Sequence, residues 1–139
     1  MYRNLRKSGE PFGIAFGNVT LLSNSHMSLA AGEFARECGK FEAYHEAIFN
    51  IYFTQARDIG HWDSVREAAV AAGIDTAALK KNLDEKRYEH RLAAVTDEAH
   101  RSDISSAPTF IINNHYVIVG AQPVATFRDA LIRIGGKSA

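Results

Sequence analysis

The strongest constraint on how this chain can fold is the order of events in residues 105–123. There a proline, two β-rich stretches and a second proline follow one another closely. Pro108 opens the apolar run 109–113 and has no N–H to give to a ladder, so it belongs at the first residue of a strand or on an edge. X-Pro is also the dipeptide in which a cis bond costs little, about 0.5–1 kcal/mol. Ala107-Pro108 is therefore open to two readings, an ordinary strand-entry proline or a cis turn. Asn113-Asn114 joins 110–113 to 115–119, and asparagine tolerates the positive φ that a two-residue hairpin turn demands. After Gly120-Ala121-Gln122 a helix is expected with Pro123 as its first residue. Val124, Phe127, Leu131 and Ile134 recur at helical spacing along it, and Gly135-Gly136 ends it. The predicted order is proline, strand, tight turn, strand, helix.

Upstream, the pattern is helical. After a short N-terminal piece (Tyr2, Leu5, then Gly13-Ile14-Ala15-Phe16), a helix is expected over 25–38, with Asn24 or Ser23 as cap and Gly39 as stop. Phe41, Tyr44, Ile48 and Ile51 mark a second amphipathic helix. A third, over 63–72, carries Val65, Ala68, Ala69 and Ala72 and stops at Gly73. Asp75 caps a short helix with Leu79 and Leu83, and a last one over 87–101 aligns Tyr88, Leu92, Val95 and Ala99. The predicted class is α/β, a helix-rich α+β chain.

Composition removes several function classes. The chain has 139 residues, 46% of them apolar, enough for a sizeable core. Its 16 basic and 16 acidic residues cancel, so no global field points to nucleic acid or an anionic membrane surface. No apolar run is long enough for a membrane span, and no secretory leader pattern opens the chain. One cysteine cannot close an intrachain disulfide, which fits a cytoplasmic setting. Cys38 falls at a helix C-terminus, where the dipole disfavours a thiolate, and reads as a half-buried structural residue rather than a catalytic one. The six histidines contain no i,i+4 pair, so no metal site is expected. His45 reads as a helix-surface or capping residue. His26, near a helix start, is the better placed for a ligand, with an ordinary structural role preferred. Asp58 with His61-Trp62-Asp63 reads as loop and cap chemistry around a buried tryptophan.

Ala107-Pro108-Thr109-Phe110 and, more specifically, Gly120-Ala121-Gln122-Pro123 resemble the C-terminal part of the DsbA-like thioredoxin-fold family. The subgroup most resembled holds FrnE-type proteins and 2-hydroxychromene-2-carboxylate isomerases. Ser23-Asn24-Ser25-His26-Met27, Glu33-Phe34-Ala35-Arg36, the stretch 41–49 and Arg57-Asp58-Ile59-Gly60 are similar to the helical insertion of that subgroup. The likeness runs from Tyr2 to Ile134. It implies one DsbA-like domain over 1–139, with a helical insertion at 20–103 and a cis-proline loop, hairpin and last helix at 104–136. It also implies a C-terminal two-thirds only, because the family's front strand–helix–strand with a Cys-x-x-Cys or Ser-bearing turn is not matched.

From this resemblance the expected substrate-binding residues are Ser106, Ala107, Pro108 and Thr109. Ala107 would offer its backbone to an extended peptide or thiol substrate, Pro108 would shape the loop, and Ser106 and Thr109 would line it. No catalytic residue is expected in the chain, and no cofactor, with glutathione as a conceivable substrate or ligand. Three functions stay open: a DsbA/FrnE-like thiol–disulfide oxidoreductase inactive without a redox motif, a glutathione-dependent isomerase relative, and a non-catalytic oligomeric binding module. A lone hairpin is marginal in water, and the strand 109–113 would show an unpaired edge. A homodimer or another strand-pairing partner through 109–113 is therefore expected.

Overall fold

Alanine dominates the contact points of the first part of this chain, and that choice sets how closely its helices lie. The computed structural model describes residues 2–135, with side chains from Leu5 onward. Gly136, read above as part of the last helix stop, lies outside the described residues. The chain divides into two compact units between Ala93 and Ala94, which are taken in turn.

The first unit opens with α1 (Tyr2–Gly9) and a 3₁₀ turn, Glu10–Phe12. Sequence reading left this segment without regular structure. Residues 14–24 then form neither helix nor strand. Helices α2 (His26–Glu37), α3 (Phe41–Phe49), α4 (Trp62–Ala71), α5 (Thr76–Asp84) and α6 (Glu89–Arg101) follow, the last crossing into the second unit. Ala31 and Ala35 of α2 and Ala68 and Ala69 of α4 are fully enclosed. Their short side chains let α2, α3, α4 and α5 approach around Tyr44, Val65 and Leu79, the largest fully buried groups. Helix ends follow the sequence closely. Asp75 accepts the N–H groups of Ala77 and Ala78, and Asn24 Oδ1 accepts that of His26 at 3.0 Å. Gly39 and Gly73 stop their helices at φ 66° and 68°, a conformation side chains resist.

Two features were not read from the sequence. After α3, residues Asn50–Thr54 form a π turn, in which the Gln55 N–H reaches back to Asn50 O. The widened turn presents one acceptor and two donors to the segment before α2. Gly17 N donates to Phe53 O at 2.7 Å, while Thr54 Oγ1 donates to Ala15 O and the Tyr52 hydroxyl to Leu21 O. A Cβ at Gly17 would collide with the Thr54 carbonyl, so only glycine permits this approach.

The second feature is an ionic tie between α2 and the start of α6. Arg91 Nε lies 2.9 Å from Glu33 Oε2 without hydrogen-bond geometry, and Arg87 Nη2 lies 3.0 Å from Glu37 Oε2. The buried Tyr88 donates its hydroxyl to the same Glu37 oxygen at 2.9 Å. Burial first, and then that hydrogen bond, push the Tyr88 phenol up to about 12 from 10.0. Its folded value is raised, so the stability it contributes is complete below pH 10 and disappears as pH rises toward about 12. Burial raises the Tyr44 phenol in the same direction. Unfolding free energy measured by urea titration is therefore expected to fall across this alkaline window. Tyr88→Phe, which cannot ionise, should lower that slope. Equal slopes for the two proteins would contradict the assignment.

In the second unit, β1 (Thr109–Ile112) and β2 (Tyr116–Val119) form an antiparallel hairpin against α7 (Val124–Gly135). The turn has three residues rather than the expected two. Asn113 and Asn114 do take positive φ (50° and 61°), but Ile112 pairs with Tyr116, leaving His115 out of the ladder. Helix α7 starts at Val124, one residue later than expected. Its inward face is Phe127, Ala130 and Ile134, whereas Val124 and Leu131 are exposed. Phe127 meets Phe110 edge to face at 4.8 Å, which fixes that rotation. Val95, expected on a buried stripe of α6, is also exposed.

Candidate functional site

The proline loop is built by a short backbone clasp. Pro108 O accepts the Gly120 N–H at 2.8 Å, and Thr109 Oγ1 donates to Ser106 O at 2.6 Å. The Ala107–Pro108 bond is cis. Ser106, Ala107 and Pro108 are exposed and Thr109 is half-buried, so the structure brings all four together on one accessible loop.

The register decides which backbone groups the adjoining strand leaves free. Residue partners are Thr109↔Val119, Phe110↔Ile118, Ile111↔Val117 and Ile112↔Tyr116. The bond from Gly120 N to Pro108 O makes 108↔120 a hydrogen-bonded pair. Antiparallel ladders alternate, so Phe110 and Ile112 point their amide groups at β2. Thr109 and Ile111 point theirs away. Among the described residues β1 has no neighbour on that side, and the sheet has two strands. An extended chain laid there would find alternating donors and acceptors starting beside Pro108.

A second concavity lies wholly within the first unit. A groove of about 490 Å³ runs between α2, α3 and the π turn, floored by Ser28, Gly32 and Tyr44. One wall is an aromatic ladder. His45 stacks between Phe41 and Phe49, with centroids at 5.6 and 4.1 Å, and Phe49 touches Phe53 at 5.3 Å. The ladder is not evident from the sequence because Phe41, Tyr44, Ile48 and Ile51 point to the core face instead. The unbroken four-residue spacing of Phe41, His45, Phe49 and Phe53 was the available signal. At one end the Arg36 guanidinium lies over the Phe41 ring at 3.9 Å. The groove can hold apolar groups, with Ser25, Ser28 and His45 among the polar residues of its lining.

Other expected positions resolve as follows. Cys38 is exposed, not half-buried, because it lies just past the last enclosed residues of α2, Phe34 and Ala35. His26 is engaged by Glu89, its Nε2 lying 2.8 and 2.9 Å from the two carboxylate oxygens, so it joins the starts of α2 and α6. Trp62 is half-buried rather than buried, since it begins α4 instead of lying inside it. Asp58 does serve its loop. The Gly60 N–H first, and then the Ser23 hydroxyl, hold its carboxyl below the ordinary range. Among the described residues no group of three or more His, Cys, Asp or Glu is placed to hold a metal ion. No described helix is long and apolar enough to cross a membrane.

Comparison with known proteins agrees with this architecture. The family profile described as DSBA-like thioredoxin domain matches residues 1–132. The chain belongs to that family. The DSBA-like assignment accounts for a helix-rich insertion followed by proline loop, hairpin and helix. The chain is 29% identical over 119 residues to the uncharacterized protein YwbO of Bacillus subtilis (strain 168), covering 85% of this chain and 59% of that protein. In fold it is similar to the crystal structure of the probable DsbA oxidoreductase SCO1869 from Streptomyces coelicolor. That match has a TM-score of 0.84 at 24% identity, over 99% of this chain and 60% of the other. The chain thus spans about three-fifths of the length of each of these two proteins.

Proposed function

We propose that this chain supplies the substrate-docking edge of a cytoplasmic thiol–disulfide oxidoreductase of the FrnE type, and that alone it binds without exchanging disulfides. The observation that carries the reading is the outward set of Thr109 and Ile111 amide groups beside an exposed Ala107-Pro108. A peptide presenting a cysteine in extended conformation fits such an edge, its backbone supplying affinity. Ser106 and Thr109 flank it. Membership of the DSBA-like family and the fold shared with a probable DsbA oxidoreductase support this reading. Disulfide exchange needs an attacking thiolate and a second sulfur, and Cys38 is the one thiol among 139 residues. It follows the last turn of α2.

Two measurements test the proposal on the 139-residue chain. In an insulin-reduction assay with dithiothreitol, no acceleration over the reductant alone is expected. Turnover that survives Cys38→Ser would overturn the binding-only part. In a nuclear magnetic resonance titration with an extended, cysteine-containing peptide, the largest amide shifts are expected at Ala107, Thr109 and Ile111. Shifts confined to the first unit, or none at saturating peptide, would overturn the docking edge. Glutathione serves as the parallel probe. Shifts at these residues with glutathione but not with peptide would move the reading to the isomerase branch.

A further inference from the structure

We infer that the groove between α2, α3 and the π turn is a binding site for a straight-chain carboxylate. The alkyl chain lies along the aromatic ladder, and the carboxylate meets Arg36 at one end. This site is separate from peptide docking at the proline loop. Its residues, from Ser25 to Leu92, belong to the first unit, so either site can fail without the other.

The floor of the groove is a hollow that packing does not require. Gly32 is buried in the middle of α2, without the positive φ that would call for glycine. A Cβ there would meet the Phe41 ring at 3.7 Å and the Tyr44 ring at 3.9 Å, both ordinary contacts. Alanine would therefore fit, and it is the better helix former. Glycine instead keeps space open beside the two rings. The hydroxyls of the floor are turned to the backbone of α2. Ser28 Oγ donates to Ser25 O at 2.9 Å, and the Tyr44 hydroxyl donates to Ser28 O at 3.2 Å. With those protons committed, a water in the hollow finds few donors, and an alkyl chain lying there leaves none of them unpaired.

Length and charge select the occupant. Ser25, Leu29, Gly32 and Arg36 line one stripe of α2 over three turns, roughly 16 Å at about 1.5 Å per residue. Opposite them run Phe41, His45, Phe49 and Phe53. A trough of that length, with a volume of about 490 Å³, suits an extended chain of about ten to twelve carbons better than a compact ring. Each methylene laid against the rings is removed from water. Arg36 marks the end where α2 turns into α3, its guanidinium 3.9 Å from the Phe41 ring centroid. Among the described residues Glu33 is the one carboxylate within reach of Arg36, at 4.0 Å, and Arg91 holds the same Glu33 oxygen more closely, at 2.9 Å. Two guanidinium groups share one carboxylate, which leaves a positive charge over at this end of an otherwise apolar trough. The Arg36 side chain is 50% exposed and open to a second partner. A carboxylate head supplies that partner through two parallel N–H···O bonds.

Isothermal titration calorimetry of the full 139-residue chain with decanoate, kept below its micelle concentration, tests the inference. Saturable binding is expected, and it should be several-fold tighter than that of decanol, which has the same chain without the charge. Arg36→Gln should weaken decanoate several-fold and leave decanol unchanged. Gly32→Leu fills the floor and should abolish saturable binding of both. Should Gly32→Leu fail to fold, Phe49→Ala takes its place. Phe49 is 48% exposed and outside the enclosed cluster, and its loss from the ladder should weaken both ligands several-fold. No saturation of the wild type by decanoate overturns the inference, as does an affinity untouched by Gly32→Leu or Phe49→Ala. Equal affinity for decanoate and decanol overturns the role of Arg36 and with it the carboxylate. Tighter binding of naphthoate, a flat acid of similar carbon number, overturns the straight chain.

Discussion

Leu79→Ala should lower the unfolding free energy of the first unit by about 2–5 kcal/mol, toward the upper part of that range. Leu79 has no solvent exposure, and α5 carries it against α2 and α4. Truncation removes the transfer energy of the lost carbons and adds a cavity whose cost depends on whether the walls can close. The surrounding cluster is rich in alanine, with Ala31, Ala35, Ala68 and Ala69 fully enclosed. An alanine has no side-chain rotamer with which to fill a neighbouring void, so closure would require backbone movement. Urea titration read by circular dichroism measures the loss, and the slope against urea should be unchanged. Leu83, half-buried on the same helix, provides the comparison, and Leu83→Ala should cost less. Similar losses for the two leucines, or a loss below about 1 kcal/mol for Leu79→Ala, would mean the helices are not packed as described.

The second large effect belongs to the hairpin. Ile118, 6% exposed, is the one buried large aliphatic residue among those described in the second unit. It pairs with Phe110, which in turn holds Phe127 of α7. Ile118→Ala carries an intrinsic cost of about 2–5 kcal/mol. With so few apolar groups enclosed around it, that loss is enough to open the ladder locally. Amide hydrogen exchange should quicken by roughly tens to thousands of fold at Phe110, Ile118 and Gly120, since each 1.4 kcal/mol is a factor of about ten. Val117→Ala, on the exposed face of the same strand, should stay within about 0.5 kcal/mol. Equal acceleration in the two variants would show that the hairpin is not held through α7.

The comparison of sequence with structure divides along physical lines. Strand, turn and helix order in 105–135 could be read because proline, asparagine and glycine act through local backbone geometry. Asp75, Asn24, Gly39 and Gly73 were readable for the same reason. The choice of inward residues on α7 was not. Val124, Phe127, Leu131 and Ile134 all suit a helical period; the Phe110 ring, distant in sequence, holds Phe127, and with that rotation Ala130 and Ile134 turn inward while Val124 and Leu131 do not. Cys38 was misjudged because burial at a helix end depends on where neighbouring helices stop. The four residues of the proline loop are proposed from resemblance rather than from any chemistry of their own. Serine, alanine, proline and threonine carry no titrating group, and a site made of backbone leaves almost no trace in side-chain type.

The π turn at Asn50–Thr54 has a consequence for the length of this stretch. One surplus residue per turn changes the phase of the chain midway through a run that begins as ordinary helix. Before the change, Tyr44 and Ile48 face inward. After it, the carbonyl of Phe53 faces Gly17, a partner more than thirty positions earlier in the chain. Deleting any one residue there would restore a regular helix and rotate everything beyond it by about a hundred degrees. The tether to 13–24 would come undone although every contacting residue was still present.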